Sequence, residues 1–192
     1  PRCTTTAAIR SMRAVKKEVL NLIKTFLQTC QESDKELIYK SFLPPLMDPV
    51  LDDYKRNVPD ARDAEVLSLF GMIITSLGAS MVDHITRIFE SVFQCTWEMI
   101  TPTLEDFPDH RVSFFSLIRD IIANAFPALL RLSPPQFQLV MESIFWAIKH
   151  LDRNISEQGL TMMLDLITKM ETSEVANDFF RGFFVSMTTE VL

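Results

Sequence analysis

Phe42-Leu43-Pro44-Pro45-Leu46-Met47-Asp48-Pro49-Val50 lies without gaps over Ile88-Phe89-Glu90-Ser91-Val92-Phe93-Gln94-Cys95-Thr96. Two further segments fit the same frame, Val140-Met141-Glu142-Ser143-Ile144-Phe145-Trp146-Ala147-Ile148 and Phe179-Phe180-Arg181-Gly182-Phe183-Phe184-Val185-Ser186-Met187. Slots one, two, five, six and nine are apolar in every copy except Thr96. At about 100° per residue those slots gather on one side of a helix. Slot seven, held by Asp48, Gln94, Trp146 and Val185, falls on the far side. The copies begin at 42, 88, 140 and 179, so successive offsets are 46, 52 and 39 residues.

Between the copies run other amphipathic stripes: Val15, Val19, Leu22, Ile23, Phe26; Val66, Leu69, Phe70, Ile73, Ile74, Leu77; Phe115, Ile118, Ile121, Ile122, Ala125; and Met163, Leu166, Ile167, Met170. Strict alternation of period two is missing, so the chain reads as all-α. The pattern and its breaks predict eight helices, at about 8–30, 35–57, 61–77, 82–101, 109–131, 134–151, 154–171 and 174–192. Ser33-Asp34-Lys35-Glu36 and Ser133-Pro134-Pro135-Gln136 read as capping boxes, in which side chains satisfy N–H groups left over by the first turn. Pro44, Pro45 and Pro49 are expected to break or kink the second helix and Pro127 the fifth.

The offsets bracket the roughly 40–47 residues of a HEAT or armadillo unit. The expected fold is a HEAT-repeat α-solenoid of about four antiparallel hairpins, at 8–57, 61–101, 109–151 and 154–192, forming one segment over 1–192. A closed helical bundle would also contain eight amphipathic helices, yet it would not need one helix type to return at regular offsets.

The 192 residues carry 19 Lys and Arg against 25 Asp and Glu, a net charge of −6, which argues against general nucleic-acid binding. With 47% hydrophobic and 23% charged residues the composition is that of a globular protein with a full core. Val66 to Val82 is free of charge for 17 residues, but its Ser, Thr and Gly residues and its length fall short of a membrane span. A buried helix stopped at Gly78 is the expectation, with no membrane insertion. Cys3, Cys30 and Cys95 are odd in number and far apart, which suits a reducing compartment. A start at Pro1 and a stop at Leu192 within an apolar pattern are expected of a piece cut from a longer chain.

Catalytic constellations are absent from the sequence. His84, His110 and His150 stand apart without a zinc spacing, Arg56 occupies the place where Asp52-Asp53 would need a third magnesium ligand, and glycine-rich phosphate loops are missing. No cofactor, metal or enzymatic activity is expected. Arg10, Arg13, Lys16 and Lys17, with Lys55 and Arg56, read as solvated helix faces. Trp146 at slot seven either meets a partner or packs against an adjacent hairpin, and Trp97 is likewise off its helix's apolar stripe.

Arg10-Ser11-Met12-Arg13-Ala14-Val15-Lys16-Lys17-Glu18, Leu43-Pro44-Pro45-Leu46-Met47-Asp48, Asp53-Tyr54-Lys55-Arg56-Asn57-Val58-Pro59, Ala64-Glu65-Val66-Leu67-Ser68 and Phe145-Trp146-Ala147-Ile148-Lys149-His150 resemble, in order, the C-terminal third of the exportin-1 family. These are nuclear export receptors of the importin-beta (karyopherin) superfamily, and the resemblance covers essentially the whole chain. It implies a receptor that binds Ran-GTP together with cargo carrying a leucine-rich export signal, meets nuclear pore proteins, and shuttles between nucleus and cytoplasm. The export-signal groove, with the cysteine attacked by leptomycin-type inhibitors, lies upstream of this region, so none of the three cysteines is equated with it. Second helices of the repeats are implied to approach Ran, which singles out Glu90, Gln94, Glu142, Trp146, Lys149 and Arg153. The alternative is a HEAT scaffold of an unrelated assembly.

Overall fold

The structure, a computed structural model, describes residues 6–191, so Cys3 lies outside the described residues. Among these residues no strand forms, and eight helices of at least 14 residues follow one another. They are α1 (Ala7–Thr29), α2 (Leu43–Arg56), α3 (Ala64–Leu77), α4 (Val82–Ile100), α5 (Pro108–Asn124), α6 (Pro134–Ile148), α7 (Arg153–Glu171) and α8 (Ala176–Val191). The odd-numbered helices pack side by side in the order α1, α3, α5, α7. On the even-numbered side α2 packs on α4, α4 on the short helix Phe126–Leu129, and α6 on α8. Main contacts thus join adjacent hairpins, and the chain is an all-α stack of helical repeats, a HEAT-type solenoid.

Local chemistry sets the boundaries. The uncharged run from Val66 to Val82 is cut by Gly78, whose φ of 53° needs a residue without Cβ, and the chain turns there from α3 into α4. Val66, Leu69, Phe70, Ile73, Ile74 and Leu77 are all buried, so the run is the core of a hairpin. Asp63 caps α3 by accepting the Glu65 N–H at 3.0 Å, and Asp152 caps α7 by accepting the Asn154 N–H at 2.8 Å. The box at Ser133 forms, with its N–H donating to Gln136 Oε1 at 3.0 Å.

The box expected at Ser33 does not form. Gln31 donates its N–H to Asp34 Oδ2 at 2.8 Å instead, while Glu36 pairs with Lys40 at 2.5 Å. The predicted 35–57 helix is divided into Lys35–Leu37, a π turn at Ile38–Phe42 and α2. Pro44 and Pro45 stand in the first turn of α2, where a missing N–H costs nothing, and the wider π turn accommodates the chain before them. The fifth helix ends at Asn124 rather than 131, because Ala125 leaves helical geometry at φ −134° before Phe126–Leu129 resumes. Pro127 has no N–H to bond the Ala123 carbonyl, and Lys169 Nζ on α7 donates to that oxygen at 2.7 Å.

The α1 stripe is also corrected. Val15, Val19, Leu22 and Phe26 are exposed and Ile23 half-buried, whereas Leu20 and Leu27 are buried, since α1 has an odd-layer neighbour on one side only. Phe184 and Val185 are likewise exposed on α8 at the opposite end. Inside the stack two glycines permit close approach. A Cβ on Gly71 of α3 would lie 2.7 Å from Asp120 Oδ2 of α5, and one on Gly159 of α7 would lie 2.6 Å from the Ile148 backbone nitrogen.

Gly159 faces backbone, which cannot swing aside, so Gly159→Ala is expected to lower the unfolding free energy by about 2 kcal/mol. Gly182 in α8 meets nothing within 4 Å, and Gly182→Ala is expected to gain about 0.5–1 kcal/mol. Urea unfolding of both variants checks the pair; equal effects would contradict the packing of α7 on α6.

Candidate partner-binding surface

The polar side of α4 presents Glu90 and Gln94, and that of α6 presents Glu142; all three are exposed. Gln94 Nε2 donates to Glu98 Oε1 at 2.6 Å, and Gln138 Nε2 donates to Glu142 Oε1 at 3.1 Å. These side chains lie one turn apart along a helix, so each carboxylate is steadied without losing its charge. Lys149, exposed, follows the last turn of α6, and Arg153 opens α7, where its Nε lies 2.7 Å from Glu157 Oε1. The surface is therefore acidic along the even-numbered helices and basic toward the α6–α7 turn. It holds no catalytic set, and among the described residues no cluster of three His, Cys, Asp or Glu side chains could bind a metal ion.

Slot seven is exposed in Asp48, Gln94 and Val185, while Trp146 in the same slot is half-buried. Its ring stacks on Phe115 with centroids 5.9 Å apart and meets Trp97 edge-on at 5.8 Å. Trp97 in turn stacks on Phe114 at 6.1 Å, so the two tryptophans bridge α4 and α6 over α5. Of the two readings for Trp146, this geometry is packing against an adjacent hairpin, which leaves part of the ring open to solvent.

The device that places Trp146 escaped the sequence reading. Arg111, 3% exposed, extends its guanidinium beneath the connection between the second and third hairpins. Nη1 donates to the Leu104 carbonyl at 2.9 Å, and Nη2 reaches the carbonyls of Ile100, Thr103 and Asp106 at 3.1, 2.8 and 2.9 Å. Its central carbon lies 5.8 Å from the Trp146 ring, a cation–π contact in a partly dry setting. Burial lowers its pKa against the pull of Asp106 and Asp152, yet a guanidinium stays charged at neutral pH. The signal was available: Arg111 sits on the stripe of Phe114, Phe115, Ile118 and Ile122, where helical spacing calls for an apolar residue.

Arg62 works in a similar way at the preceding joint, donating to the carbonyls of Tyr54 at 3.1 Å and Cys95 at 2.9 Å. Thr96, the polar exception in the repeat, spends its one proton on the Val92 carbonyl and accepts from the Tyr54 hydroxyl at 2.8 Å. Burial pushes the Tyr54 phenol far above its usual range and also raises the Cys95 thiol, so neither is poised for chemistry. His150 accepts the Asp152 N–H on Nδ1 at 2.9 Å and lies 4.8 Å from Trp146. Burial, then the Arg111 charge, lowers its pKa, which favours a neutral ring with its proton on Nε2.

Arg111→Met removes four carbonyl partners and the contact with Trp146, and is expected to cost about 2–4 kcal/mol of stability. A red shift in tryptophan emission should precede global unfolding in denaturant; coincident transitions would mean that Arg111 does not position Trp146.

A family model described as CRM1 C terminal matches residues 1–192. The chain is 49% identical over 191 residues to Protein EXPORTIN 1A of Arabidopsis thaliana, covering 100% of this chain and 18% of that protein. It is 47% identical over 184 residues to Exportin-1 of Dictyostelium discoideum and 42% identical over 191 residues to Exportin-1 of Schizosaccharomyces pombe. Those alignments cover 95% and 98% of this chain, but 17% and 18% of the relatives, so it spans under a fifth of their length.

Proposed function

Since this chain belongs to the exportin-1 family of nuclear export receptors, through its CRM1 C-terminal region, we propose that it serves as a scaffold arc near Ran in such a receptor. In this reading the receptor binds Ran-GTP and cargo bearing a leucine-rich export signal, meets nuclear pore proteins, and shuttles between nucleus and cytoplasm. Residues 1–192 act as one repeat segment, with hairpins at about 8–57, 61–101, 109–151 and 154–192. The export-signal groove belongs to other repeats, and this arc works by surface complementarity without a catalytic step or cofactor. The match of the CRM1 C-terminal model to every residue of the chain carries the proposal.

Partner contact is assigned to Glu90, Gln94 and Glu142, the open part of Trp146, and the basic pair Lys149 and Arg153. An acidic row suits a partner with basic patches, and such complementarity mainly speeds association and sets register. The exposed apolar faces of α1 and α8 suit stacking against further repeats, which supports the reading of an arc within a longer solenoid.

The test is titration of Ran-GTP and Ran-GDP into a full-length receptor containing this chain, with preference for the GTP form expected. Glu90→Lys combined with Glu142→Lys should slow association by roughly threefold to tenfold, more at low salt, with little change in melting temperature because both residues are exposed. An unchanged association rate would remove the acidic row from the contact surface, and equal affinity for the two nucleotide forms would remove the Ran assignment.

A further inference from the structure

We infer that the groove between the N-terminal half of α1 and the first turns of α3 and α5 is a docking site for an acidic peptide segment carrying an apolar side chain. The first observation is the distribution of charge. Residues 1–62 hold 11 Lys and Arg against 8 Asp and Glu, a balance of +3, whereas residues 63–192 hold 8 against 17, a balance of −9. An otherwise acidic chain thus gathers its positive charge in the first hairpin.

The second observation is where that charge points. Arg10, Arg13 and Lys17 are spaced by three and four residues, share one face of α1, and line a groove of about 600 Å³. Asp63, Glu65, Asp109 and His110 contribute to the facing wall. Two of those carboxylates are engaged: Asp63 caps α3, and Glu65 lies 2.6 Å from Lys24 and 4.0 Å from Lys17. Among the described residues neither Arg10 nor Arg13 has an ion-pair partner. His110, 9% exposed, has its Nε2 without a hydrogen-bond partner, and the first turns of α3 and α5 add the positive ends of two helix dipoles.

The third observation selects a peptide over a polyphosphate. A second groove of about 480 Å³, which shares Arg13 with the first, sets Ile9, Met12, Val58 and Ala61 beside Arg56, Asn57 and the Lys16–Asp53 ion pair. Met12 is 71% and Val58 47% exposed, so an apolar side chain from a partner has a seat beside the cations. A nucleic-acid backbone would press its charge against Asp63, Glu65 and Asp109, whereas a peptide can set single carboxylates against Arg10 and Arg13 and turn other side chains away. Arg10, Arg13 and Lys17 lie roughly opposite the exposed stripe of Val15, Val19, Leu22 and Phe26 at about 100° per residue, so repeats stacked on that stripe would leave the cations open, while Met12 borders the stripe and Val58 lies off it on another element.

The probe is a fluorescein-labelled peptide of alternating Glu-Glu-Leu units, titrated into the full chain and read by anisotropy at low and physiological salt. Saturable binding that weakens with salt is expected, with an affinity loss of about tenfold in Arg10→Ala/Arg13→Ala and a smaller loss in Met12→Ser. Thermal unfolding should stay unchanged in these variants, since the three side chains are not in the core. Equal affinity in the double-arginine variant would overturn the proposal, as would equal binding of the same peptide with Lys in place of Glu. Loss of binding only in Val15→Ser/Leu22→Ser would place the peptide on the apolar stripe instead. Tighter binding of a single-stranded DNA oligonucleotide at the same arginines would replace the peptide with nucleic acid.

Discussion

The apolar face of α3 from Val66 to Leu77 is closed by α5, and α5 is closed in turn by α7, so the core is a strip shared across hairpins. No helix of this chain could bury its stripe within its own hairpin alone, and stability comes from each interface between neighbours. Close approach at those interfaces is what the bare Cα positions of Gly71 and Gly159 allow. Arg62 and Arg111 then fix the joints, Arg62 by bonding carbonyls of α2 and α4 and Arg111 by bonding carbonyls that the connection after α4 would otherwise leave to water.

In the proposed reading, specificity rests on how this architecture arrays its surface. Stacked hairpins hold their even-numbered helices in a row, and side chains from separate repeats share one surface. Glu90 and Gln94 on α4 are joined to Glu142 on α6 through the Trp97–Trp146 pair, which rests on Phe114 and Phe115 of α5. A partner reading that row would sense the relative position of two hairpins as well as the charges themselves.

Periodicity made the helices legible, because the stripes of α3, α5 and α7 bury the residues that their spacing selects, with Ile167 of α7 half-buried. The α1 stripe failed for the same reason that the others succeeded: spacing identifies an apolar face but not whether a neighbour covers it. The cap at Ser33 was misplaced because Gln31 to Asp34 and Ser33 to Glu36 are overlapping frames of one signal, and the chain uses the earlier one. Slot seven gave the exposed position of Gln94 correctly, whereas Trp146 depends on Phe115, Trp97 and Arg111 from other elements, which no single-helix angle can supply. The groove beside Arg10 and Arg13 was hidden for a related reason, since its facing wall comes from helices about 50 and 100 residues away.

The bond from Lys169 to the Ala123 carbonyl has a mechanical consequence. A proline in one hairpin strands an oxygen that a lysine of the next hairpin captures, so twisting that joint would exchange a bond between hairpins for one to water. A stack of repeats behaves as a spring, and each bond that crosses a joint stiffens it. Arg62 and Arg111 tie the earlier joints in the same manner, so strain applied at one end of this arc would be handed on from hairpin to hairpin rather than absorbed at one hinge.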